Sequence, residues 1–442
     1  MGNIVGSVLK VPSGKHERSL IILLTIIALP IIGFGIYEIF ANDLLRVESD
    51  VPSHAIRGYF FAENPNFVRE WYLGADIFKY YPPVPIWVSG IFYILVPQPG
   101  FSLSVLFLLC FIAIIGVSGL IAKQLQEKFI QGAFAGLMLL ASYPSISRYV
   151  NGGRFGDLLG MVFFLSFAAM ALSYYNKPTK KRMVALMGIS LFAMLTHFLS
   201  GLLVLSATGL IFAYSLYKKD PKARNVFLIA LAGAAPSILF WVPFYLQANQ
   251  WVAGSGVFTA NTHYDLRHTL FYLLIIINLF LLIRKRPIAA YAIAFLLLVG
   301  GAYKLDSFSV VFKENFDGLE MDAPYSTIDG YAGPAIWSVL AYKGFVGDYG
   351  SYDPGAPPEV VERFLALNRT DCKSLDEYSG ITGVKYFITN QTDLERCGYA
   401  LVWEGKNDIY DYSADFNGKV PLLAAANESV YSAKLRVYKK EG

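Results

Sequence analysis

Apolar residues along this chain fall in long continuous blocks of roughly 16–23 residues, the length that carries a helix across a ~30 Å hydrocarbon core. The blocks do not alternate as barrel strands would, and only helices and closed barrels satisfy the backbone in lipid. The pattern therefore predicts about nine helical spans, at 19–41, 101–122, 129–147, 155–175, 182–198, 200–217, 226–246, 268–284 and 287–303. A further run, 84–97, is shorter and rich in Pro, Gly and aromatics. Its length suits an interfacial or re-entrant segment in a long loop, 42–100.

Charge placement orients the spans. The strongest basic loops are Lys177 to Arg182, Lys218 to Arg224, and Arg284-Lys285-Arg286. The positive-inside rule makes them cytoplasmic. Counting back puts Lys123 to Lys128 and the N-terminus, with Lys10, Lys15 and Arg18, on that side too. This holds if 84–97 does not cross. The first apolar run then reads as an uncleaved signal-anchor, because no small-residue cleavage site follows it. The 304–442 tail falls on the outer side.

The tail changes character: it is polar and Asp-rich, with turn signals such as Asp353-Pro354-Gly355. Strand-like runs occupy 384–389, 399–403 and 434–438, and a helix is expected at about 357–368. Residues 304–442 therefore read as a small extracytoplasmic α+β domain, following a 1–303 transmembrane domain. The chain's sequons, at Asn368, Asn390 and Asn427, all lie in the tail. So do Cys372 and Cys397, which can form a disulfide in an oxidising compartment or remain free thiols. Composition agrees with membrane burial: 55% of the 442 residues are hydrophobic and only 16% charged, against about 25% charged in soluble domains.

Candidate chemistry gathers at the outer face. The first outer loop begins Glu48-Ser49-Asp50-Val51-Pro52-Ser53-His54-Ala55-Ile56-Arg57 and runs on to Tyr80-Tyr81-Pro82-Pro83. An Asp at the outer end of a helix can serve as general base toward a hydroxyl, or hold a divalent cation. Asp50 and His54 share a face if that stretch is helical. A second outer turn reads Asn151-Gly152-Gly153-Arg154-Phe155-Gly156-Asp157. Ionisable groups at membrane depth usually have partners, and Arg suits phosphate. His197, His263 and His268 also fall near the outer surface. Together with Asp157, Asp50 and His54 could form an oxygen/nitrogen metal site, for Mg or Mn. A solvated loop, a structural Arg154–Asp157 pair and unconnected interfacial histidines are the plainer readings. The chain has no Walker loop, HExxH or CxxC motif. Few charges sit in span centres, apart from Glu38, and this argues mildly against a transporter.

The Asp50-x-Pro52-x-His54 motif and the aromatic stretch ending Tyr81-Pro82-Pro83 resemble the first outer loop of C-type (GT-C) glycosyltransferases, which depend on lipid-phosphosugars. The most similar pattern is that of membrane proteins labelled 6-pyruvoyl-tetrahydropterin-synthase-related. The 151–157 turn, Thr196-His197 and Gly383 to Ile388 fit the same family pattern. The tail lacks a Trp-Trp-Asp signature, so single-sugar transfer fits better than oligosaccharyl transfer. The resemblance implies a GT-C-like fold and an inverting transfer from a polyprenyl- or dolichyl-phosphate sugar to a glycan, lipid or protein acceptor. It implies Asp50 as general base, and Arg57, Arg154, Arg267 and Tyr81 on the substrate and its phosphate. His54, Asp157, His197 and His263 would orient substrate or bind metal. No nucleic-acid partner is expected. A non-catalytic scaffold of the same fold is the alternative.

Overall fold

The computed structural model describes residues 15–41, 44, 51–63, 81–142, 145–151, 153–243, 287–303, 310–311, 316–327, 333–345, 347, 371–389, 393–411 and 429–440. The chain divides into two compact units. One comprises Met1–Ile39, Val105–Trp241 and His263–Leu305, and the other Phe40–Ser104, Val242–Thr262 and Asp306–Gly442.

The described helices of the first part of the chain are α1 (Lys15–Ala41), α2 (Val51–Glu63), α3 (Pro83–Leu95), α4 (Pro99–Gln124) and α5 (Phe129–Leu140). A π-helical turn, Ile146–Asn151, leads into α6 (Phe155–Asn176), α7 (Lys180–Met194), α8 (Phe198–Lys218), α9 (Pro221–Ala234) and α10 (Pro287–Tyr303). Among the described residues, five helical segments are long and apolar enough to cross a bilayer: Ile21–Ala41, Pro99–Gln124, Phe155–Asn176, Phe198–Lys218 and Pro221–Pro243. This is the character of a membrane-embedded protein. The other expected spans are shorter as helices: α5 has 12 residues, α7 has 15 and α10 has 17. The expected span 268–284 and helix 357–368 lie outside the described residues, as do the three sequon asparagines.

In the first unit, α6, α7, α8 and α9 pack around Phe167, Ala171, Leu186, Ala193, Val204, Val226 and Ala230. Small residues set the spacing, as in membrane bundles generally. A Cβ on Gly233 of α9 would collide with the backbone of Met187 in α7. One end of this group gathers the basic loops. Asn176 Nδ2 donates to Gln124 O at 2.9 Å, and Tyr175 Oη donates to Asp220 Oδ2 at 2.6 Å. Asp220 also caps α9, accepting from Lys222 N at 2.9 Å. Arg182 Nη1 donates to Ser173 O and Lys177 O. The loops after Lys123, Lys177 and Lys218 therefore share one end. Asp157, in the first turn of α6, lies at the other.

In the second unit, α2 and α3 pack closely together. A Cβ on Gly58 would come within 2.7 Å of Ser89 Cβ, so only glycine allows this approach. Helix α11 (Gly333–Tyr342), from the tail, covers α2, with the Tyr342 ring 5.1 Å from Tyr59. The tail adds α12 (Cys372–Thr382) and five strands: β1 (Val310–Val311), β2 (Tyr325–Thr327), β3 (Tyr386–Thr389), β4 (Tyr399–Asp411) and β5 (Ser429–Lys440). The sheet order is β1-β4-β5-β3-β2, antiparallel except where β2 pairs β3. Leu375 and Tyr378 of α12 pack on Val384, Phe387, Leu394, Tyr399 and Tyr438. Cys372 and Cys397 are joined by a disulfide, with Cα atoms 5.1 Å apart.

Titratable groups tie the sheet to its surroundings. Lys440 Nζ lies 3.0 Å from Asp376 Oδ1, and Tyr399 Oη donates to the same oxygen at 3.0 Å. The Lys440 contact, with help from Tyr399, holds the Asp376 carboxyl below its usual range. Burial, then the bond to Asp376, pushes the Tyr399 hydroxyl up. Tyr386 Oη donates to Asp322 Oδ1 at 2.5 Å, which with Lys439 lowers Asp322. The signs follow from linkage. The lowered carboxyls contribute stability that is present above about pH 4, the unfolded Asp value, and is lost as pH falls through their folded values. The raised tyrosine contributes stability that is present below about pH 10 and is lost as pH rises through its folded value. Tail stability, read from near-UV circular dichroism against urea, is expected to plateau between these limits and to fall on both sides.

Candidate functional site

The expected site residues divide between the two units. In the second unit, His54 and Arg57 stand three apart on α2, and both are buried, at 6% and 5% exposure. Their whole stretch, Val51 to Gly58, is buried. The Arg57 guanidinium carbon sits 4.1 Å over the centre of the Tyr81 ring, a cation–π stack. His54 meets the same ring edge-on, with centroids 5.7 Å apart. Tyr81 Oη is 3.4 Å from each His54 ring nitrogen. That is too long for a strong hydrogen bond, so the contact is mainly packing. Tyr81 thus fixes the plane of Arg57, turning a flexible cation into an oriented one. The neighbouring α3 exposes Ile91, Ile94 and Leu95. Asp50 precedes α2 by one residue and lies outside the described residues.

In the first unit, Asp157 Oδ1 lies 2.7 Å from His197 Nδ1, with side-chain exposures of 2% and 33%. The local sequence builds this contact. Helix α7 ends and α8 begins within three residues, Leu195-Thr196-His197, with Thr196 Oγ1 turned back on Phe192 O at 2.6 Å. The last carbonyls of α7 need partners. Ser200 Oγ donates to Ala193 O at 2.7 Å and Trp241 Nε1 donates to Met194 O at 2.8 Å. On the facing helix a Cβ at Gly160 would come within 2.8 Å of Ser200 Cβ. Glycine there lets α8 approach α6 closely enough for His197 to reach Asp157. Leu199 N is 3.3 Å from the same Nδ1. A nitrogen cannot both accept from Leu199 and donate to Asp157. The Nδ1 nitrogen accepts from Leu199 N as the cap of α8, and its approach to Asp157 Oδ1 is a close contact without hydrogen-bond geometry.

Arg154 is exposed at the entry to α6, after Gly153, whose φ of 58° favours glycine. Arg267, His263 and His268 lie outside the described residues. Among the described residues, no group of three or more His, Cys, Asp or Glu side chains converges to hold a metal ion. The Asp157–His197 approach is 2.7 Å. Two ligands of one Mg or Mn ion, each about 2.1 Å from it at right angles, would stand about 3 Å apart. The described donors alone do not assemble a cation site, and no step below is routed through one. Ser200, Trp241 and Gly160, which shape the turn, gave no signal in the sequence beyond a short polar break in an apolar run.

No protein-family model matches this chain, and no curated protein is detectably similar to it.

Proposed function

We propose that this chain is a multi-pass membrane glycosyltransferase of about nine spans, with its N-terminus cytoplasmic and its tail extracytoplasmic. It moves a sugar from a polyprenyl-phosphate donor to a hydroxyl acceptor with inversion. The observation that carries the reading is the buried Arg57, oriented by Tyr81. A donor whose lipid tail cannot leave the bilayer must present its phosphate at the lipid–water boundary. A desolvated, pre-oriented guanidinium is the group that suits such a phosphate. The apolar outward face of α3, with Ile91, Ile94 and Leu95, suits contact with lipid or a polyprenyl chain.

In this reading the acceptor oxygen attacks the anomeric carbon on the face opposite the phosphate. Its proton passes to the Asp50 carboxylate. The bond from the anomeric carbon to the phosphate oxygen breaks, its electron pair stays on the leaving polyprenyl phosphate, and Arg57 stabilises the charge that develops there.

Arg57→Ala is expected to lower kcat/KM for the donor about 10–100-fold, the worth of a charge-assisted hydrogen bond. Arg57→Lys should recover only part, because an ammonium group neither stacks on Tyr81 nor grips bidentately. Initial rates in proteoliposomes against donor concentration check this. Full activity in Arg57→Ala would remove the phosphate-binding role.

A further inference from the structure

Two turns at the basic end of the first unit are fastened to each other. Tyr175 Oη, near the end of α6, donates at 2.6 Å to Asp220, the cap of α9. Asp220 also accepts from Lys222 N at 2.9 Å and from Ala223 N at 3.3 Å. Arg182 Nη1 donates to Ser173 O and Lys177 O, each at 2.9 Å, which folds the α6–α7 turn back on α6. These bonds hold six exposed cations on two neighbouring turns. Lys177, Lys180 and Lys181 stand on one, and Lys218, Lys219 and Lys222 on the other.

The same bonds leave that charge poorly compensated. Asp220 is the single carboxylate between Lys177 and Arg224. Its oxygens are engaged by Tyr175 Oη and by the first turn of α9. Among the described residues, none of the six cations is ion-paired. Like charges on adjoining turns repel, so an anion from outside the chain lowers the energy of the arrangement.

Exposed apolar side chains fix the depth of this charge. Leu216 and Tyr217, in the last turn of α8, are 60% and 79% exposed, and Val184, one turn into α7, is 59% exposed. Lys218 Nζ lies 4.5 Å over the Tyr217 ring. In a membrane-embedded bundle, an exposed apolar belt that ends in Tyr and then Lys marks the level where hydrocarbon gives way to headgroups. A soluble anion would need none of this belt, whereas a phospholipid uses both the belt and the cations. In the topology proposed above, this end meets the cytoplasmic leaflet, whose anionic lipids make its surface negative.

We infer that the joined α6–α7 and α8–α9 turns are a binding surface for anionic phospholipids: the lysines engage the lipid phosphate, and Val184, Leu216 and Tyr217 contact the acyl chains. Tyr175 is a positioning residue, because its bond to Asp220 holds the two turns together. The inference does not depend on the transferase reading.

The test reconstitutes the full chain in phosphatidylcholine vesicles with a trace of spin-labelled phosphatidylglycerol or spin-labelled phosphatidylcholine. Electron spin resonance separates protein-bound from free label and gives the relative association of the two lipids. Wild type should prefer phosphatidylglycerol at least about 5-fold, the factor for one cation engaged at an anionic surface. The preference should shrink as salt rises. Replacing Lys180, Lys181, Lys218 and Lys219 together with Gln should abolish it, and replacing the same four with Arg should keep it. Tyr175→Phe retains every cation but frees the Asp220 carboxylate, and should weaken the preference. Lys373→Gln with Lys385→Gln, in the tail, should leave it unchanged. A wild-type preference that survives the four Gln replacements would overturn the inference. So would an equal loss in the tail variant, which would make the preference a property of net charge. Displacement of the labelled lipid by inorganic phosphate at constant ionic strength would contradict it too, by assigning the surface to a soluble anion.

Discussion

Asp50→Ala is expected to reduce sugar transfer by about 10²–10⁴-fold, the contribution of a positioned general base. The acceptor hydroxyl is a weak nucleophile with its proton in place, and the step has no other carboxylate assigned to remove it. Asp50→Asn should lose as much as Asp50→Ala, because the amide has nearly the same shape but cannot take the proton. Asp50→Glu should recover part. The expected companion result is unchanged helicity and unchanged detergent-extracted size. Turnover within a few-fold of wild type in Asp50→Asn would dismiss Asp50 as the base. Expression lost in every Asp50 variant would assign it to structure instead.

The second large effect concerns the tail. Replacing Cys372 and Cys397 with Ser removes a link between residues 25 apart in sequence. Loop-closure entropy puts its contribution at about 3.5 kcal/mol, within the ~2–5 kcal/mol measured for native disulfides in small domains. Cys397 also packs against the core of Leu375, Phe387 and Tyr438, so the loss includes apolar contact. The core around it is small, and a few kcal/mol is a large share of any domain's stability. Limited proteolysis is the suitable measurement, since the tail can open while the apolar helices stay folded. The double variant, or wild type under reductant, should be cleaved within 372–440 at temperatures where the oxidised protein resists. Identical protease sensitivity would show that the sheet carries the domain by itself.

Parts of this fold were legible in the sequence for identifiable reasons. The strand-like runs at 384–389, 399–403 and 434–438 lie in or overlap β3, β4 and β5, where β-branched and aromatic residues meet a half-buried sheet. Strands β1 and β2 are two and three residues long, too short to show any period. Helix α12 was missed although Asp371 caps it and Gly383, at φ 74°, ends it. Those two signals were available, but the segment's low apolar content hid the helix. Within the membrane region, hydropathy located α6 and α8 well but not the end of α5. That helix stops at Leu140, before Ser142 and Pro144, while the apolar run continues to 147.

The candidate residues were legible in the sequence as residue types, but not as contacts. The basic loops after Lys123, Lys177 and Lys218 do meet at one end of the first unit. Asp157 and His197 are forty positions apart, and their 2.7 Å contact depends on Gly160 and on a three-residue turn. Hydropathy carries neither. The stack of Arg57 on Tyr81 likewise joins residues of different elements, beside the close approach of α2 and α3 at Gly58 and Ser89. Periodicity along one helix cannot report a partner on another element.

The central claim is transfer of a sugar from a lipid phosphate. The direct measurement incubates the purified full chain in proteoliposomes with a panel of radiolabelled polyprenyl-phosphate sugars and mixed glycan, lipid and peptide acceptors. The account predicts label transferred from at least one donor, with free polyprenyl phosphate released in equal amount and the product anomer inverted. No transfer from any donor, by protein that retains its helicity and its disulfide, would contradict it.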